Sequence, residues 1–283
     1  MTHKTSLSNL LTHLLLVLFG LVMVYPLIWM FFASFKTTNE IFISPNLLPE
    51  IFNWENYLNG WQSAATGAVS YTDFFVNTLF LVVPTVMFTV LSSLLVAYGF
   101  TRFRFPGSKI LFSLMIATLM LPNSVIVIPR FMIFKNLGWL DSYLPFIAPA
   151  MFACYPFFIF MLVQFMRGIP IALDESAKID GCGYFGAYWR IFLPLCKPAI
   201  VANIIMLFMT TWNDYFAPLV FTHSESKQTV QVAIAMLNSH FIQQTNIPLM
   251  MAAALIAELP VLILFVLAQK HFTESFAMTG IKG

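Results

Sequence analysis

Six long apolar stretches constrain this chain more than any other feature of its sequence. They cover residues 11–32, 74–100, 110–128, 143–166, 199–221 and 248–268. A helix of about 20 residues, rising 1.5 Å per residue, crosses the about 30 Å hydrocarbon core of a bilayer. Only 9% of the 283 residues are charged, against about 25% in soluble domains. The sequence therefore predicts an all-α, polytopic membrane protein with six transmembrane helices in one domain of residues 1–283.

The first apolar stretch could be mistaken for a secretory signal. Its apolar core is longer than the about 7 to 15 residues of a signal peptide, and no small-x-small cleavage site follows it. We expect it to remain in the mature protein as the first span.

The basic residues predict the orientation of the chain. With the N-terminus in the cytoplasm, the inner segments hold ten of the 14 basic residues and the outer segments hold four. This is the asymmetry of the positive-inside rule. The inner set is Lys4, Arg102, Arg104, Lys109, Arg167, Lys178, Arg190, Lys197, Lys270 and Lys282, and the outer set is Lys36, Arg130, Lys135 and Lys227. We therefore expect a multi-pass protein of the cytoplasmic membrane with both termini in the cytoplasm.

Two connections between the spans are long: an outer one over residues 35–73 and an inner one over residues 167–198. Loops of that length are usually functional. In the inner loop, Pro170 suits the first turn of a helix and Gly181 ends that helix. A second short helix is expected over residues 184–192, before Pro194. The pattern predicts a helix, turn and helix at the membrane surface, available to a protein partner.

The inner loop also carries a specific motif. Glu175-Ser176-Ala177 is followed after three residues by Gly181 and, after nine more, by Ile191-Phe192-Leu193-Pro194. The chain here resembles the inner-membrane permeases of ATP-binding-cassette (ABC) importers, whose signature is Glu-Ala-Ala, Gly and Ile-x-Leu-Pro at this spacing. Ser176 departs from the signature but is also small.

The resemblance implies that residues 167–198 form a coupling loop that docks into a groove on an ATPase subunit. It assigns this role to Glu175, Ala177, Asp180 and Gly181. We expect Glu175 to pair with a basic residue of the groove, Ala177 to permit close approach, and Gly181 to permit a turn with positive φ.

The resemblance further implies three kinds of protein partner: a second homologous permease, two ATPase subunits and an extracytoplasmic solute-binding protein. ATP and Mg²⁺ would be bound by the ATPases, with no cofactor on this chain. The sequence agrees, because it contains no Gly-x-x-x-x-Gly-Lys-Ser/Thr phosphate loop. Gly181, Gly183 and Gly186 have the dinucleotide-binding spacing, but no strand is predicted before them. A net charge of +2 does not indicate nucleic acid, and no catalytic motif indicates an enzyme.

Weaker motifs resemble the carbohydrate branch of the family, most closely the maltose-type second permease subunit. They are Ser34-Phe35-Lys36, Glu55-Asn56-Tyr57, Ala97-Tyr98-Gly99-Phe100 leading to Arg102, Leu121-Pro122, Trp212-Asn213-Asp214, and Met278 to Gly283 in the tail of residues 269–283. The resemblance implies uptake of a sugar or oligosaccharide. Alternatives are another small polar solute, such as a polyamine or phosphonate, and a proton-coupled secondary transporter that uses Glu258.

Polar groups inside the spans are candidates for the solute path because they are costly in hydrocarbon. In the fifth span, Asn203, Thr210 and Asp214 are spaced to share one helical face. Further candidates in this span are Trp212, Asn213 and Tyr215, and Asn123 is one in the third span. Amide, carboxylate and aromatic groups suit a neutral sugar, but the same residues also suit contacts between helices or anchoring at the interface.

Glu258 lies near the middle of the sixth span, beside Pro260. A charge at this depth is expensive. Three roles remain open for it: pairing with the partner permease, hydrogen bonding to a substrate hydroxyl, or remaining protonated. We favour a structural role at an interface, because the chain offers no obvious cationic partner within the membrane.

Overall fold

The computed structural model describes residues 7–62, 69–240 and 246–279, and every regular element in these ranges is helical. This confirms the all-α class. The helices are α1 Leu7–Ala33, α2 Thr38–Ile43, α3 Glu55–Gln62, α4 Tyr71–Arg102, α5 Ser108–Leu119, α6 Asn123–Asn136, α7 Leu144–Met151, α8 Pro156–Arg167, α9 Ala172–Ile179, α10 Tyr184–Ala187, α11 Leu193–Leu195, α12 Lys197–Trp212, α13 Phe216–Phe221, α14 Val230–His240 and α15 Ile247–Thr279. The last four residues of the predicted tail lie outside the described ranges.

Four segments are long and apolar enough to cross a membrane: Asn9–Ala33, Tyr71–Arg102, Leu144–Arg167 and Ile247–Gln269. They correspond to the first, second, fourth and sixth predicted spans. Two bent pairs of helices reach the required length only when their members are combined, so the described residues hold four to six candidate spans. The protein is therefore a membrane protein with several apolar helices.

The third apolar stretch is broken rather than continuous over 110–128. Helix α5 ends at Leu119, α6 begins at Asn123, and their axes differ by 105°. Pro122 stands directly before α6 with φ −61° and ψ 138°. Proline lacks an N–H and disfavours helical geometry in the residue before it. The chain therefore cannot continue α5 through Leu121.

The fifth apolar stretch is also broken, so the single helix predicted over 199–221 is wrong. Helix α12 ends at Trp212 and α13 starts at Phe216. Pro218 cannot donate to the carbonyl of Asp214, and in a continuous helix its ring would clash with that carbonyl. The Asp214 carboxylate instead accepts a hydrogen bond from the backbone of Ala217 at 3.2 Å. Asp214 thus caps the new helix.

The second helix of the predicted inner loop runs past its expected end. A π-helical turn over Tyr188–Phe192 continues α10 into α11, which contains Pro194. Within it the Leu193 N–H bonds to the Tyr188 carbonyl. A local π-helical adjustment is one way in which helices accept proline. The helical segment therefore ends at Leu195, and its axis is bent by 71° from α12.

The described residues fall into two units. The first contains the residues up to Thr72 together with Ala233–Glu258, and the second contains Asp73–Val232 with the residues from Leu259 onward.

In the first unit, two of the motifs that carried the resemblance contact each other. The Asn56 amide donates to the backbone carbonyls of Ser34 (2.8 Å) and Lys36 (2.9 Å). The Ser34 and Tyr57 hydroxyls are 2.7 Å apart. The Lys36 ammonium bonds to the Asn46 carbonyl. These contacts fix the chain at the end of α1, where backbone carbonyls lack helical partners.

In the second unit, α4 buries a row of small hydroxyl side chains among its apolar residues, including Thr78, Thr85, Thr89 and Ser93. Thr78 donates to the Phe74 carbonyl and accepts from the Val230 N–H at 2.9 Å. Small and weakly polar side chains let helices of membrane proteins pack closely. One face of α4 is therefore packed inside this unit.

Asp141 joins two connections of the second unit. Its carboxylate accepts hydrogen bonds from the backbone of His223 (3.0 Å) and Ser224 (2.9 Å), from the Ser224 hydroxyl (2.6 Å) and from the Lys227 ammonium (3.2 Å). The hydrogen bond from the Ser224 hydroxyl is the largest cause that lowers the pKa of Asp141 well below its usual value. The carboxylate is therefore stabilised in its charged form.

We expect Asp141→Asn to lower the thermal stability of the purified protein at pH 7 by about 1 kcal/mol in total, because solvent weakens charged hydrogen bonds at a partly exposed site. Asparagine tolerates the positive φ of 55° at this position. Because the folded pKa is depressed, the stabilisation is complete above the unfolded pKa of about 3.9 and is lost as the pH falls through the folded value. The melting-temperature difference should therefore stay constant from pH 7 to 5 and shrink below about pH 4. A constant difference down to pH 3 would contradict this.

Candidate functional site

Helix α9 is the first helix of the 167–198 segment, and it ends at a defined turn. The Gly181 N–H bonds to the Lys178 carbonyl at 3.0 Å and the Cys182 N–H bonds to the Ala177 carbonyl at 2.8 Å. This is the pair of bonds that closes a helix on a left-handed residue. Gly181 has φ +72°. The predicted positive-φ turn at Gly181 is confirmed.

The four predicted coupling residues do not share one environment. Glu175, Asp180 and Gly181 are exposed, whereas Ala177 is only 3% exposed. The expectation that Ala177 permits the approach of a partner is therefore corrected, since its side chain packs inside its own chain. Its small size instead lets α9 lie close to the rest of the second unit.

The surface of the segment combines these acids with large apolar side chains. Ile179 is 86% exposed and Phe185 is 77% exposed, and Ile171 and Trp189 are also largely exposed. Apolar groups concentrated on a short segment mark interaction surfaces more often than isolated ones do. The outward face of the segment thus has the composition of a protein-docking surface.

Arg102, at the end of α4, holds the inward side of the segment. Its guanidinium donates to the Ile169 carbonyl at 3.0 Å, and its Nε lies 3.1 Å from Oδ2 of Asp174. It also lies over the Phe192 ring, 4.5 Å from the centroid. The side chains of Arg102 and Asp174 are only 8% and 17% exposed. Arg102 belongs to a predicted motif and to the inner basic residues, but the sequence did not predict these contacts.

A cleft of about 900 Å³ opens beside this contact. Its walls come from the end of α4, the connection to α5, helix α9 and the start of α10. Arg104, Lys109 and Lys178 line it together with Asp174 and Glu175. The Lys178 ammonium lies 5.4 Å from the centre of the Tyr184 ring. The cleft is open, and charged and aromatic side chains line it together.

The candidates in the fifth span are separated by the helix break. Thr210 is exposed on α12 and bonds to the carbonyls of Met206 and Leu207. Asn213 follows the helix and accepts a hydrogen bond from the Gln231 amide at 3.2 Å. Because Asp214 also lies beyond the end of α12, the prediction that Asn203, Thr210 and Asp214 share one helical face is wrong.

Two of these candidates are fully buried. Asn203 is 0% exposed and its amide donates to the Ala199 carbonyl at 3.0 Å. Trp212 is also 0% exposed, and its ring stacks on Phe208 with centroids 5.4 Å apart. In this conformation both side chains pack between helices and present no surface to a solute. Tyr215, by contrast, is 41% exposed in the break itself.

The remaining candidates lie apart from this break. Asn123 is exposed at the first position of α6, directly after the break at Pro122. Glu258 is half-buried within α15. No group of three or more potential metal ligands occurs among the described residues.

The helices and the 167–198 segment define a membrane-transport subunit. A family model described as the inner membrane component of binding-protein-dependent transport systems matches residues 89–277. The chain belongs to this family. The predicted resemblance to ABC importer permeases is confirmed.

Curated relatives match the chain over nearly its whole length. It is 30% identical to the permease of an arabinooligosaccharide transport system from Bacillus subtilis, with 95% of this chain and 94% of the relative aligned. It is 29% identical to a diacetylchitobiose uptake permease from Streptomyces coelicolor, with 94% and 86% aligned. A polygalacturonan/rhamnogalacturonan permease from B. subtilis is 31% identical, with 99% and 100% aligned.

A solved structure has the same fold. One chain of a bacterial ABC transporter involved in the import of the acidic polysaccharide alginate superimposes with a TM-score of 0.81. The two chains are 21% identical, and the match covers 96% of this chain and 99% of the other.

The left-handed turn makes Gly181 sensitive to substitution. We expect Gly181→Ala to destabilise the end of α9 by about 1–2 kcal/mol, because a Cβ is disfavoured at positive φ. Gly183→Ala is the matched control: a Cβ added at either glycine would meet open space, but Gly183 has φ −71°. Hydrogen exchange of the α9 amides should accelerate only in the Gly181 variant. Equal exchange in the two variants would show that the turn does not limit α9.

Proposed function

We propose that this chain is the permease subunit of an ATP-driven importer that carries a sugar or oligosaccharide into the cell. The observation that carries the proposal is the 167–198 segment. Its motif begins on helix α9, which Gly181 closes at the C-terminal end, and the segment exposes acids and large apolar side chains. The function of several relatives in carbohydrate uptake supports the substrate class.

In the proposed topology each of the six apolar stretches forms one span, the third across the break between α5 and α6 and the fifth across the break between α12 and α13. This gives six spans in a single domain, with both termini in the cytoplasm and residues 167–198 on the inner side. The excess of basic residues in the inner segments supports this orientation. The exposure of α1 supports contact with lipid or a second permease, because no residue of its apolar window is buried within this chain.

The proposed complex contains a second permease, two ATPase subunits and an extracytoplasmic binding protein. ATP and Mg²⁺ bind to the ATPases, and this chain performs no covalent chemistry. Glu175 and Asp180, with Ile179 and Phe185, are the proposed contacts to an ATPase. The apolar residues supply the buried area, and the acids supply charge complementarity, which sets orientation more than affinity.

The helix breaks are the proposed parts of the solute path. Irregular backbone at membrane depth persists where it is buried in protein or lines a water-filled cavity, and transporter sites form at discontinuous helices. Asn213, Asp214 and Tyr215 lie in one break, and Asn123 borders another. Thr210 is exposed one turn before the first of these breaks. Glu258 keeps its proposed role at an interface.

Reversing the charge of Glu175 tests the docking surface. We expect Glu175→Arg to leave the chain in the membrane but to abolish co-purification of the ATPase and solute uptake. Glu55→Arg is the matched control, because Glu55 is also an exposed acid in the first turn of an eight-residue helix. Normal uptake by the Glu175 variant, at equal membrane levels, would exclude this surface as the coupling contact.

Uptake assays test the substrate class and the energy source together. Proteoliposomes with the complete complex and its binding protein should accumulate labelled oligosaccharide only when ATP is supplied on the ATPase side, and not in response to a proton gradient. A polyamine or phosphonate taken up in place of oligosaccharide would replace the proposed substrate. Uptake driven by a proton gradient without ATP, and lost in Glu258→Gln, would overturn the importer assignment.

A further inference from the structure

Arg102 contacts all three parts of the 167–198 segment with one side chain. Its guanidinium bonds to Ile169, which leads into α9, and it is ion-paired to Asp174 in the first turn of α9. It also packs over Phe192, in the helical stretch that follows. A planar guanidinium with several donors can make such contacts simultaneously, whereas an ammonium acts as a single point charge.

These contacts are sheltered from water. The side chain of Arg102 is 8% exposed and that of Asp174 is 17% exposed. Solvent screening of the pair is therefore weak, and removing one partner would leave the other charge poorly solvated. Asp174 also lies in the first helical turn, where a carboxylate interacts favourably with the helix dipole.

The residue that holds the segment belongs to a long helix that is well packed in the second unit. Arg102 is the last residue of α4, whose Ser92 bonds to the Ala150 carbonyl on α7 at 2.7 Å. In the last turns of α4, the Tyr98 hydroxyl donates to the Tyr184 carbonyl at 3.2 Å. A displacement of α9 is therefore transmitted to α4 through non-covalent contacts, in addition to the covalent links to α8 and α10.

We propose that Arg102 is the positioning residue that mechanically ties α9 to α4, so that movement of the docked segment moves this span. The inference rests on the proposed function. Arg102 itself touches neither the solute nor, in this arrangement, the outward docking face that carries Ile179 and Phe185. Its role is to make the segment and α4 move as one body.

The test measures how much ATP the complex hydrolyses for each solute molecule transported. In the assembled complex with its binding protein, Arg102→Met should raise this ratio about tenfold, within the usual range of coupling between sites. Arg102→Lys should raise it less, because it keeps the charge but not the guanidinium geometry. Asp174→Asn, which removes one of the three contacts, should also raise it.

Arg104→Met is the matched control. Arg104 lines the same cleft but is exposed, and it has no ion pair or hydrogen bond to any residue in the described part of the chain. The complex with Arg104→Met should hydrolyse as much ATP for each solute molecule transported as the unmodified complex does. If Arg102 served only folding, transport and ATP hydrolysis would fall in proportion to the amount of complex, and the ratio would not change. An unchanged ratio in the Arg102→Lys and Asp174→Asn complexes would overturn the proposal.

If the proposed substrate class is wrong, the experiment gives a different result. In that case the unmodified complex transports no oligosaccharide, whatever residue stands at position 102. The coupling of α9 to α4 through Arg102 is then measured by how much the cognate binding protein stimulates ATP hydrolysis. Stimulation by a protein on the outer side also has to pass through the spans. Stimulation should be lost in Arg102→Met and kept in Arg104→Met, and equal stimulation in both would overturn the proposal.

Discussion

The hydrocarbon core of the bilayer offers no hydrogen-bond partner to a backbone, and this constraint determines most of the architecture. Every regular element in the described ranges is helical, as it must be where each N–H and C=O has to be satisfied within the segment. The constraint also makes departures from helix informative. The breaks before Asn123 and after Trp212 leave peptide groups that need other partners, and the Asp214 carboxylate supplies one at the start of α13.

The sequence predicted the parts of the fold that follow from length and local chemistry. Apolar length alone located the four segments that are long enough to cross a membrane. The glycine at position 181 correctly predicted a positive-φ turn, because few other residues adopt that conformation. Prolines were harder to interpret. Pro122 stands directly before α6 and Pro218 lies in the first turn of α13, each just after a helix break. Pro194, in contrast, lies in a helical stretch that continues without a break from a π-helical turn. The sequence around a proline does not specify which of these adjustments the backbone makes.

Side-chain environment was the least predictable feature of the site. Glu175 and Ala177 belong to the same motif, but one faces solvent and the other is buried, since residues two apart on a helix point in different directions. The Arg102 contact joins residues separated by 67 positions at Ile169 and by more at Asp174 and Phe192. Long-range contacts of this kind leave no local periodicity, so only the folded chain reveals that Arg102 and Asp174 are partners.

The two faces of the 167–198 segment differ in composition and in burial. The outward face carries exposed acids and large apolar side chains, which suit a contact that forms with another protein. The inward face carries a small buried alanine, a sheltered ion pair and an aromatic ring, which suit permanent attachment to the rest of the second unit. A segment that was tightly held on both faces could not exchange partners, and one that was loose on both could not transmit force. Glu175 and Asp174 are adjacent in sequence but different in environment. In the proposed mechanism, this asymmetry is what would allow one short helix to receive motion on one side and pass it to a span on the other.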